Sequence, residues 1–255
     1  MRDNYDALKT EGRNPNTMNI DKVSTLEAMR LMNEENKRVP EAIDTQLEEI
    51  AKAVDLIAAA MERGGHLIYV GAGTSGRLGI IAGGDGAMFR AVENAEDNEE
   101  WGKRAIDEDG VQPGDVVVGI SAAGRAPFVL GALKRAREIG ATPIGVTCNP
   151  DSLFVPLCDV TIAPYVGPEV ISGSTRLKAG TAQKLVLNML STGAMIRTGK
   201  VYSNLMINVK PTNEKLWERA TRIIMQIADI DHDRAGELLR KHGSIRGALS
   251  ELGLM

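Results

Sequence analysis

Apolar positions in the first quarter of the chain recur at helical spacing. A capping-box pattern at 24–27 predicts a helix that runs to Asn36. A second helix is predicted from Pro40 to the glycine pair at 64–65. Its apolar residues repeat every three or four positions and so share one face: Ile43, Leu47, Ile50, Val54, Ile57 and Met61. Residues 1–63 are therefore expected to form an N-terminal helical arm.

The pattern changes at residue 66, where short apolar runs begin to alternate with helical stretches. Four runs have the composition of strands buried on both faces of a parallel sheet: 66–70, 116–120, 143–147 and 160–163. Further helices are predicted at 127–139 and 177–197. The alternation predicts an α/β domain over 64–210, with three layers (αβα) and a mostly parallel sheet whose ligands bind at the carboxyl ends of the strands.

The last part of the chain returns to a helical pattern. After Lys210 the sequence is charged, and its apolar residues predict a small helical appendage over 211–255. The apolar positions that carry this prediction are Leu238, Leu239, Ile245, Ala248 and Leu249.

One apolar run does not fit the alternation of strands and helices. Residues 80–84 resemble the end of a strand, but only about nine residues separate them from Val70. A parallel crossover with its helix needs a dozen or more residues. The chain is therefore expected to be short of residues near Ile80 and Ile81.

The composition limits the classes of function. The chain has 255 residues, of which 43% are hydrophobic and 4% aromatic, enough for one full core of aliphatic side chains. With a net charge of -4, it has no basic footprint for nucleic acid or an anionic membrane. No apolar run approaches the roughly 18 residues of a membrane helix, so we expect a cytoplasmic protein. Cys148 and Cys158 are expected to be buried thiols, and the three scattered histidines do not suggest a zinc site.

Two glycine-containing loops are the strongest candidates for a ligand site. Each follows a predicted strand, a position from which backbone N–H groups and a helix dipole favour an anion. Their candidate phosphate-binding residues are Gly73, Thr74, Ser75, Gly76 and Arg77 in the first loop and Ser121, Gly124 and Arg125 in the second. Two such loops in adjacent strand units predict one shared phosphate site.

The first loop also matches the dinucleotide fingerprint, with glycines at 71, 73 and 76. An acidic residue at the end of a second strand about 20 positions on would complete that fingerprint, and none stands there cleanly. Thr74 and Ser75 suit the three oxygens of a phosphomonoester. A sugar phosphate is therefore favoured over a dinucleotide.

A third hydroxyl-rich segment, at 172–181, precedes the longest predicted helix. Its candidate binding residues are Ser174, Thr175 and Lys178. One interpretation is helix capping alone. The other is an anion site, because basic side chains in a first helical turn oppose the helix dipole unless an anion accompanies them.

An acidic cluster at 93–100 completes the candidate chemistry. Such a cluster is typical of a solvated helix end, but one of its carboxylates could act as a general acid or base if burial raised its pKa. The spacing does not choose among these carboxylates.

Four separated segments together resemble the N-acetylmuramic acid 6-phosphate etherases, bacterial enzymes of the sugar isomerase (SIS) fold. They are residues 69–79, 91–97, 173–184 and 204–206 with 212–216. The resemblance implies a homodimeric, cytoplasmic lyase of peptidoglycan recycling that acts on a phosphosugar without a metal or an organic cofactor. Such enzymes cleave the D-lactyl ether of N-acetylmuramate 6-phosphate to N-acetylglucosamine 6-phosphate and D-lactate. The alternative is a non-catalytic sugar-phosphate-binding regulator of the same fold.

The resemblance also assigns the acid–base residues. One of the family's two catalytic glutamates falls on Glu96, with Glu93 as the fallback. The other lies in a Ser-Glu-Cys-Pro-Pro turn that this sequence lacks, which implies an omission on the order of twenty residues at Ile80/Ile81. A second omission, of about thirty residues, is implied near 224–226.

These departures from the family bear on activity. Our hypothesis is that both omitted segments belong to the natural polypeptide; the alternative is a true deletion, which would remove an essential acid. In the second loop, Ala123 and Ala126 stand where the family usually has serine and threonine. Two hydroxyls that could face the phosphate are therefore missing from that loop, and Ser121 and backbone N–H groups are left as its donors.

Overall fold

The computed structural model describes residues 12–83 and 96–255, which form one unit that ends at Ala194 and a second that comprises Met195–Met255. In the described part of the first unit, parallel strands lie side by side in chain order: Leu67–Gly71 (β1), Val116–Ile120 (β2), Thr142–Val146 (β3) and Val160–Ile162 (β4). Their bounds lie within one residue of the predicted ones. The parallel sheet is thereby confirmed.

Helices precede and separate these strands. Within the described residues they are α1 (Thr25–Asn36), α2 (Arg38–Asp44), α3 (Leu47–Glu62), α4 (Gly73–Gly83), α5 (Glu99–Glu108), α6 (Pro127–Ile139) and α7 (Lys178–Arg197). α1 begins at the predicted cap, where the Ser24 hydroxyl oxygen accepts the Glu27 N–H. α6 has the predicted bounds and ends at Gly140, which adopts the left-handed conformation common after a helix.

Helices cover both faces of the sheet. On one face, Val118 of β2 shares a buried cluster with Ile57 of α3 and Leu190 of α7. On the other face, Val117 packs with Ala132 of α6. Successive residues of one strand thus face two different helical layers, which is the three-layer αβα arrangement that the sequence predicts.

The N-terminal arm contains a break that its hydrophobic pattern conceals. Instead of one helix from Pro40, the chain forms α2 and α3, separated at Thr45 and Gln46, so the prediction of a single helix is wrong. The Gln46 amide oxygen accepts the N–H of Ala163, the residue after β4, at 2.8 Å. The break thereby satisfies a backbone donor at the end of the sheet.

The run at 80–84 is not the end of a strand. Its first four residues continue α4, so that prediction is wrong, and Gly84 lies outside the described residues. A strand here would need a longer crossover than the chain after β1 provides. The helix packs directly on β1 instead: a Cβ on Gly79 would lie 2.9 Å from Tyr69 Cβ.

α5 and α6 cross at two glycines. A Cβ on Gly102 would lie 1.8 Å from the Phe128 carbonyl oxygen, and one on Gly131 would lie 2.0 Å from the Glu99 carbonyl oxygen. Larger residues are therefore excluded from both positions, and the two backbones touch. This close crossing places the start of α5, and with it the end of the acidic cluster, beside α6.

The described part of the second unit contains α8 (Glu214–Ala228), α9 (His232–His242) and α10 (Ile245–Glu251), with a hairpin of β5 (Val201–Tyr202) and β6 (Leu205–Met206). Side chains cap each helix: Asn213, Asp231 and Ser244. The five apolar residues that predict the appendage are all buried in one core cluster. Its helical character is confirmed, while the predicted boundaries at 63/64 and 210/211 stay a prediction.

Candidate functional site

A cavity of about 440 Å³ lies at the carboxyl ends of β1 and β2. The loops after both strands contribute to its wall, together with the segment before α5 and one residue before α7. Its lining residues are Ala72, Gly73, Thr74, Ser75, Glu96, Asp97, Ile120, Ser121, Ala122, Ala123, Arg125, Ala126, Pro127 and Thr175. The structure thus brings the two glycine loops and part of the acidic cluster together at one site.

The first loop contributes Gly73, Thr74 and Ser75 to the cavity. These residues form the first turn of α4, whose backbone N–H groups have no acceptor within the helix. The buried Ser75 hydroxyl donates to the Gln183 amide oxygen at 2.9 Å, whereas Thr74 is exposed. A helix N-terminus with an exposed hydroxyl favours an anion.

Ser121 and Gly124 shape the second loop. The Ser121 hydroxyl oxygen accepts the Gly124 N–H at 3.2 Å, so its own O–H can donate to a ligand in the cavity. Gly124 has a φ of +65°, and a Cβ there would lie 2.3 Å from Ser152 Cβ. Gly124 therefore maintains the turn without lining the cavity, while Ala123 and Ala126 line it with methyl groups.

Arg125 follows this turn and lines the cavity. Its Nε atom is buried and has no hydrogen-bond partner in the part of the chain that the structure describes. A guanidinium presents a rigid fork of donors that matches a carboxylate or a phosphate. Because a buried donor without a partner is costly, Arg125 is suited to an anionic group of a ligand.

Glu96 and Asp97 supply two carboxylates to the cavity, and both residues are exposed. The Glu96 carbonyl accepts the Phe128 N–H at 3.0 Å, which ties this segment to the first turn of α6. Glu93, the fallback catalytic residue, lies outside the described residues. Sequence reasoning did not single out Asp97, although its place next to Glu96 was a signal that could have found it.

The third segment is divided between the cavity and the protein interior. Thr175 lines the cavity and Ser174 does not. Lys178 is fully buried, and its Nζ lies 2.6 Å from Glu35 Oε2. Its charge is therefore neutralised inside the protein, and the structure does not bring Lys178 to the cavity.

Glu35 is held by donors on several sides. Besides Lys178, the side-chain amides of Asn14 and Asn16 donate to it at 2.7 and 2.8 Å. Burial by itself raises the pKa of Glu35, but the hydrogen bonds from Asn16, Lys178 and Asn14 outweigh burial and lower the pKa to about 2. Glu35 is therefore charged at neutral pH.

Glu169 caps the helix that follows the third segment. Its two carboxylate oxygens accept the backbone N–H groups of Lys178 and Ala179 at 3.0 and 2.9 Å. Burial nevertheless raises the pKa of Glu169, because these hydrogen bonds only partly offset the loss of solvent. The start of α7 is thus capped by a carboxylate from outside the third segment, while Thr175 of that segment lines the cavity.

Gly76 and Arg77 are predicted binding residues that do not line the cavity. A Cβ on Gly76 would lie 2.3 Å from the Gly71 carbonyl oxygen, so Gly76 allows α4 to pack against the end of β1. Arg77 is exposed. The predicted site residues that do meet at the cavity are Gly73, Thr74, Ser75, Glu96, Ser121, Arg125 and Thr175.

The described residues contain neither a candidate metal site nor a reactive thiol. No group of three or more histidine, cysteine, aspartate or glutamate side chains there could hold a metal ion. Cys148 and Cys158 are free, and burial raises the pKa of each thiol to about 12, so both stay protonated and unreactive. Within the same ranges, every helix is too short or too polar to cross a membrane.

Two similar proteins from different bacteria share one name. An N-acetylmuramic acid 6-phosphate etherase from Clostridium botulinum (strain Loch Maree / Type A3) is 51% identical over 256 residues, covering 92% of this chain and 85% of the relative. A protein of the same name from Symbiobacterium thermophilum is 52% identical over 266 residues, covering 96% of this chain and 88% of the relative.

A family model and a solved structure are similar to this chain in fold. A family model described as the glucokinase regulatory protein N-terminal SIS domain matches residues 78–137. The structure of a phosphoheptose isomerase from Francisella tularensis is similar at a TM-score of 0.53 and 15% identity, covering 68% of this chain and 98% of that one. These likenesses confirm the sugar isomerase (SIS) fold.

The same alignments measure what this chain lacks. The 256 aligned residues of the Clostridium protein correspond to 92% of 255 residues here, about 235, so roughly twenty have no counterpart. The Symbiobacterium protein shows the same shortfall of roughly twenty residues. Its size is that of the omission predicted at Ile80/Ile81. A total of this size does not accommodate both predicted omissions, and the position of the missing residues stays a prediction.

Proposed function

This chain belongs to the N-acetylmuramic acid 6-phosphate etherase family, and from that membership we infer that it cleaves the D-lactyl ether of N-acetylmuramate 6-phosphate. The products are N-acetylglucosamine 6-phosphate and D-lactate, which makes the protein a carbon–oxygen lyase of peptidoglycan recycling. In the structure, one observation carries this proposal: a single cavity joins the Glu96 carboxylate to two loops suited to an anion. A base and a phosphate site are what this substrate requires.

Glu96 is the proposed base. In the open-chain aldehyde form of the substrate, the C1 carbonyl acidifies the C2 proton, and the Glu96 carboxylate removes it. The electron pair of that C–H bond forms a C2–C3 double bond, while the C3–O bond to lactate breaks and the departing oxygen takes up a proton. Water then adds across the double bond, with its oxygen at C3 and a proton at C2.

The departing lactate needs a proton donor. The family's second glutamate would supply that proton, and it belongs to the segment that this chain lacks at Ile80/Ile81. Asp97 is the other carboxylate that lines the described cavity. We therefore assign to Asp97 the role of proton donor in a polypeptide without that segment.

The phosphate belongs to the hydroxyl-lined part of the cavity in this proposal. Thr74, Ser121 and Thr175 are the side chains able to donate to its oxygens, together with the N–H groups that begin α4. We also propose that the protein is a cytoplasmic homodimer, on the strength of its family resemblance.

A phosphosugar-binding regulator without turnover is the second candidate. Two observations favour it: the match of residues 78–137 to a regulatory SIS domain, and the absence of the glutamate-bearing turn at Ile80/Ile81. Such a protein would bind N-acetylmuramate 6-phosphate but release no D-lactate.

The experiment that separates the two candidates is a D-lactate assay. The purified protein is incubated with N-acetylmuramate 6-phosphate, and D-lactate is measured with a coupled dehydrogenase. We expect steady release from the unmodified protein and at least a ~100-fold lower rate from Glu96→Gln, because that change removes the base and keeps the shape of the side chain.

Exposed Glu100, the first-turn residue of α5 that pairs with Lys103, provides the matched control. Glu100→Gln should leave the rate unchanged. Full activity of Glu96→Gln would remove Glu96 from the mechanism, and substrate binding without any D-lactate would favour the regulator.

A further inference from the structure

The substrate of the proposed function carries two anionic groups at different carbons. Its phosphate is attached to C6, and the carboxylate of the lactyl ether is attached through C3. We propose that Arg125 binds the lactyl carboxylate and thereby selects the ether substrate over phosphosugars that lack this group. The inference rests on the proposed function and deepens it, because it names the residue that recognises the group about to leave.

Arg125 lines the cavity with part of its hydrogen-bonding capacity unused. Its Nε is buried and has no hydrogen-bond partner among the described residues. Other arginines of this unit are engaged: Arg135 pairs with Asp107, and Arg137 with Asp159. An arginine held at a cavity with a donor unused is prepared for an anion that arrives with the ligand.

Arg125 belongs to a loop that adjoins the segment of the base. The Phe128 N–H donates to the Glu96 carbonyl at 3.0 Å, and Arg125 precedes Phe128 by three residues. The segment that carries the base and the loop that carries Arg125 therefore adjoin, and both line the cavity. Because Glu96 acts on C2, we assign the cation of the adjoining loop to the substituent on C3 rather than to the phosphate on C6.

The phosphate has donors other than Arg125. Gly180 in the first turn of α7 approaches the first loop, since a Cβ on it would lie 3.9 Å from Thr74 Cγ2. The Gly180 N–H in turn donates to the Thr175 carbonyl at 3.0 Å. Thr74 and Thr175 both line the cavity, and with the N–H groups that begin α4 they offer donors to an anion without Arg125.

Chemical matching supports the same assignment. A guanidinium can donate two parallel hydrogen bonds to a carboxylate and stays charged at every physiological pH. A contact of this kind contributes about 1.5–3 kcal/mol. That is roughly a 10- to 100-fold difference in affinity between a ligand with the carboxylate and one without it.

The test compares two ligands that differ in the lactyl group. Binding of N-acetylmuramate 6-phosphate and N-acetylglucosamine 6-phosphate is measured by calorimetry in a Glu96→Gln background, where the substrate is not consumed. Adding Arg125→Gln should weaken binding of N-acetylmuramate 6-phosphate about 10- to 100-fold and change binding of N-acetylglucosamine 6-phosphate by less than about twofold. Arg125→Lys should recover part of the loss.

The control is the same change at an exposed arginine. Arg104 of α5 pairs with Glu108 outside the cavity, and Arg104→Gln should alter neither affinity. Melting temperatures of all variants show whether each is folded.

The outcomes separate the inference from the proposed function. Equal weakening of both ligands by Arg125→Gln would place Arg125 on the phosphate and overturn the inference, as would no weakening of either. The proposed function fails separately, if the protein with Glu96 intact releases no D-lactate. Binding of neither ligand to the Glu96→Gln protein would overturn both.

Discussion

Glu35 and Lys178 form a buried ion pair that the sequence did not predict. Their side chains are 4% and 0% exposed, and their charged atoms lie 2.6 Å apart. The basic residue at a helix start resembles a ligand-binding lysine, so the sequence suggested a phosphate contact. The carboxylate that neutralises Lys178 is 143 positions away, where no local pattern can reveal it.

Replacing Glu35 with glutamine should destabilise the fold. The change leaves the buried Lys178 ammonium without its counter-charge, and we expect a loss of about 3–5 kcal/mol in the free energy of unfolding at pH 7. Urea denaturation measures it. Neighbouring Glu34 is the control: its side chain is 71% exposed and pairs with Lys37, so Glu34→Gln should cost less than about 1 kcal/mol.

The effect of Glu35 should depend on pH. The folded pKa of about 2 lies below the ordinary value of 4.5, so the contribution of Glu35 is complete above about pH 4.5 and is lost as the pH falls towards 2. The stability difference between the unmodified protein and Glu35→Gln should therefore shrink over that interval. A difference that stays constant from pH 7 to pH 3 would contradict this account.

At the scale of elements, the crossing of α5 and α6 controls where the acidic segment lies. Gly131→Ala would place a methyl group against the Glu99 carbonyl, 2.0 Å from its oxygen, and push the two helices apart. We expect a loss of about 1–3 kcal/mol in stability and a lower rate of D-lactate release, because Glu96 is tied to α6 through Phe128.

Gly236 of α9 is the control for this prediction. Its nearest neighbour to an added Cβ is the mobile end of Arg240, at 3.5 Å. Gly236→Ala should therefore leave activity unchanged and stabilise the protein by up to about 1 kcal/mol through helix propensity. Chemical denaturation and the lactate assay compare the two variants, and a harmless Gly131→Ala would disprove the close crossing.

Elements were predictable where burial alone sets their pattern. β2 and α6 have the predicted bounds, because a continuous apolar run and a helical repeat between a proline and a glycine are local signals. The break at Gln46 was not predictable, since the apolar spacing continues from Ile43 to Leu47 across it. Its cause, the Ala163 N–H, lies 117 positions away.

In the candidate site, too, local sequence signals were predictable and long-range contacts were not. Glycine loops carry their signature in adjacent residues, so the sequence could indicate both walls of the cavity. Arg125 could be proposed as a phosphate ligand from its loop, but its unpaired buried Nε and its presence in one cavity with Glu96 are products of tertiary packing. Ser174 and Lys178 were predicted to bind the ligand, but neither lines the cavity. Their position in the sequence does not show which side of a turn faces a cavity.

At the scale of the whole molecule, the chain is roughly twenty residues short of its relatives, and we propose that these residues carry a further carboxylate of the cavity. Our hypothesis places that segment in the natural polypeptide. Its intact mass should then exceed 27.4 kDa by one segment of that length, and native mass spectrometry should show the dimer as twice the measured chain.

A natural chain of 27.4 kDa would contradict the hypothesis and make the deletion real. Asp97→Asn then becomes the decisive variant, because the proton donor must come from the residues that remain. A monomer in the native spectrum would independently overturn the proposed homodimer.

The buried ion pair of Glu35 and Lys178 also has an evolutionary consequence. A mutation at only one of the two positions leaves an unpaired charge buried in the protein. Selection for a folded protein opposes such a single change. The two sites should therefore be inherited together: lineages that keep one keep the other, and lineages that lose the pair replace both by uncharged residues. Although 143 positions separate them, the two residues should change together in evolution.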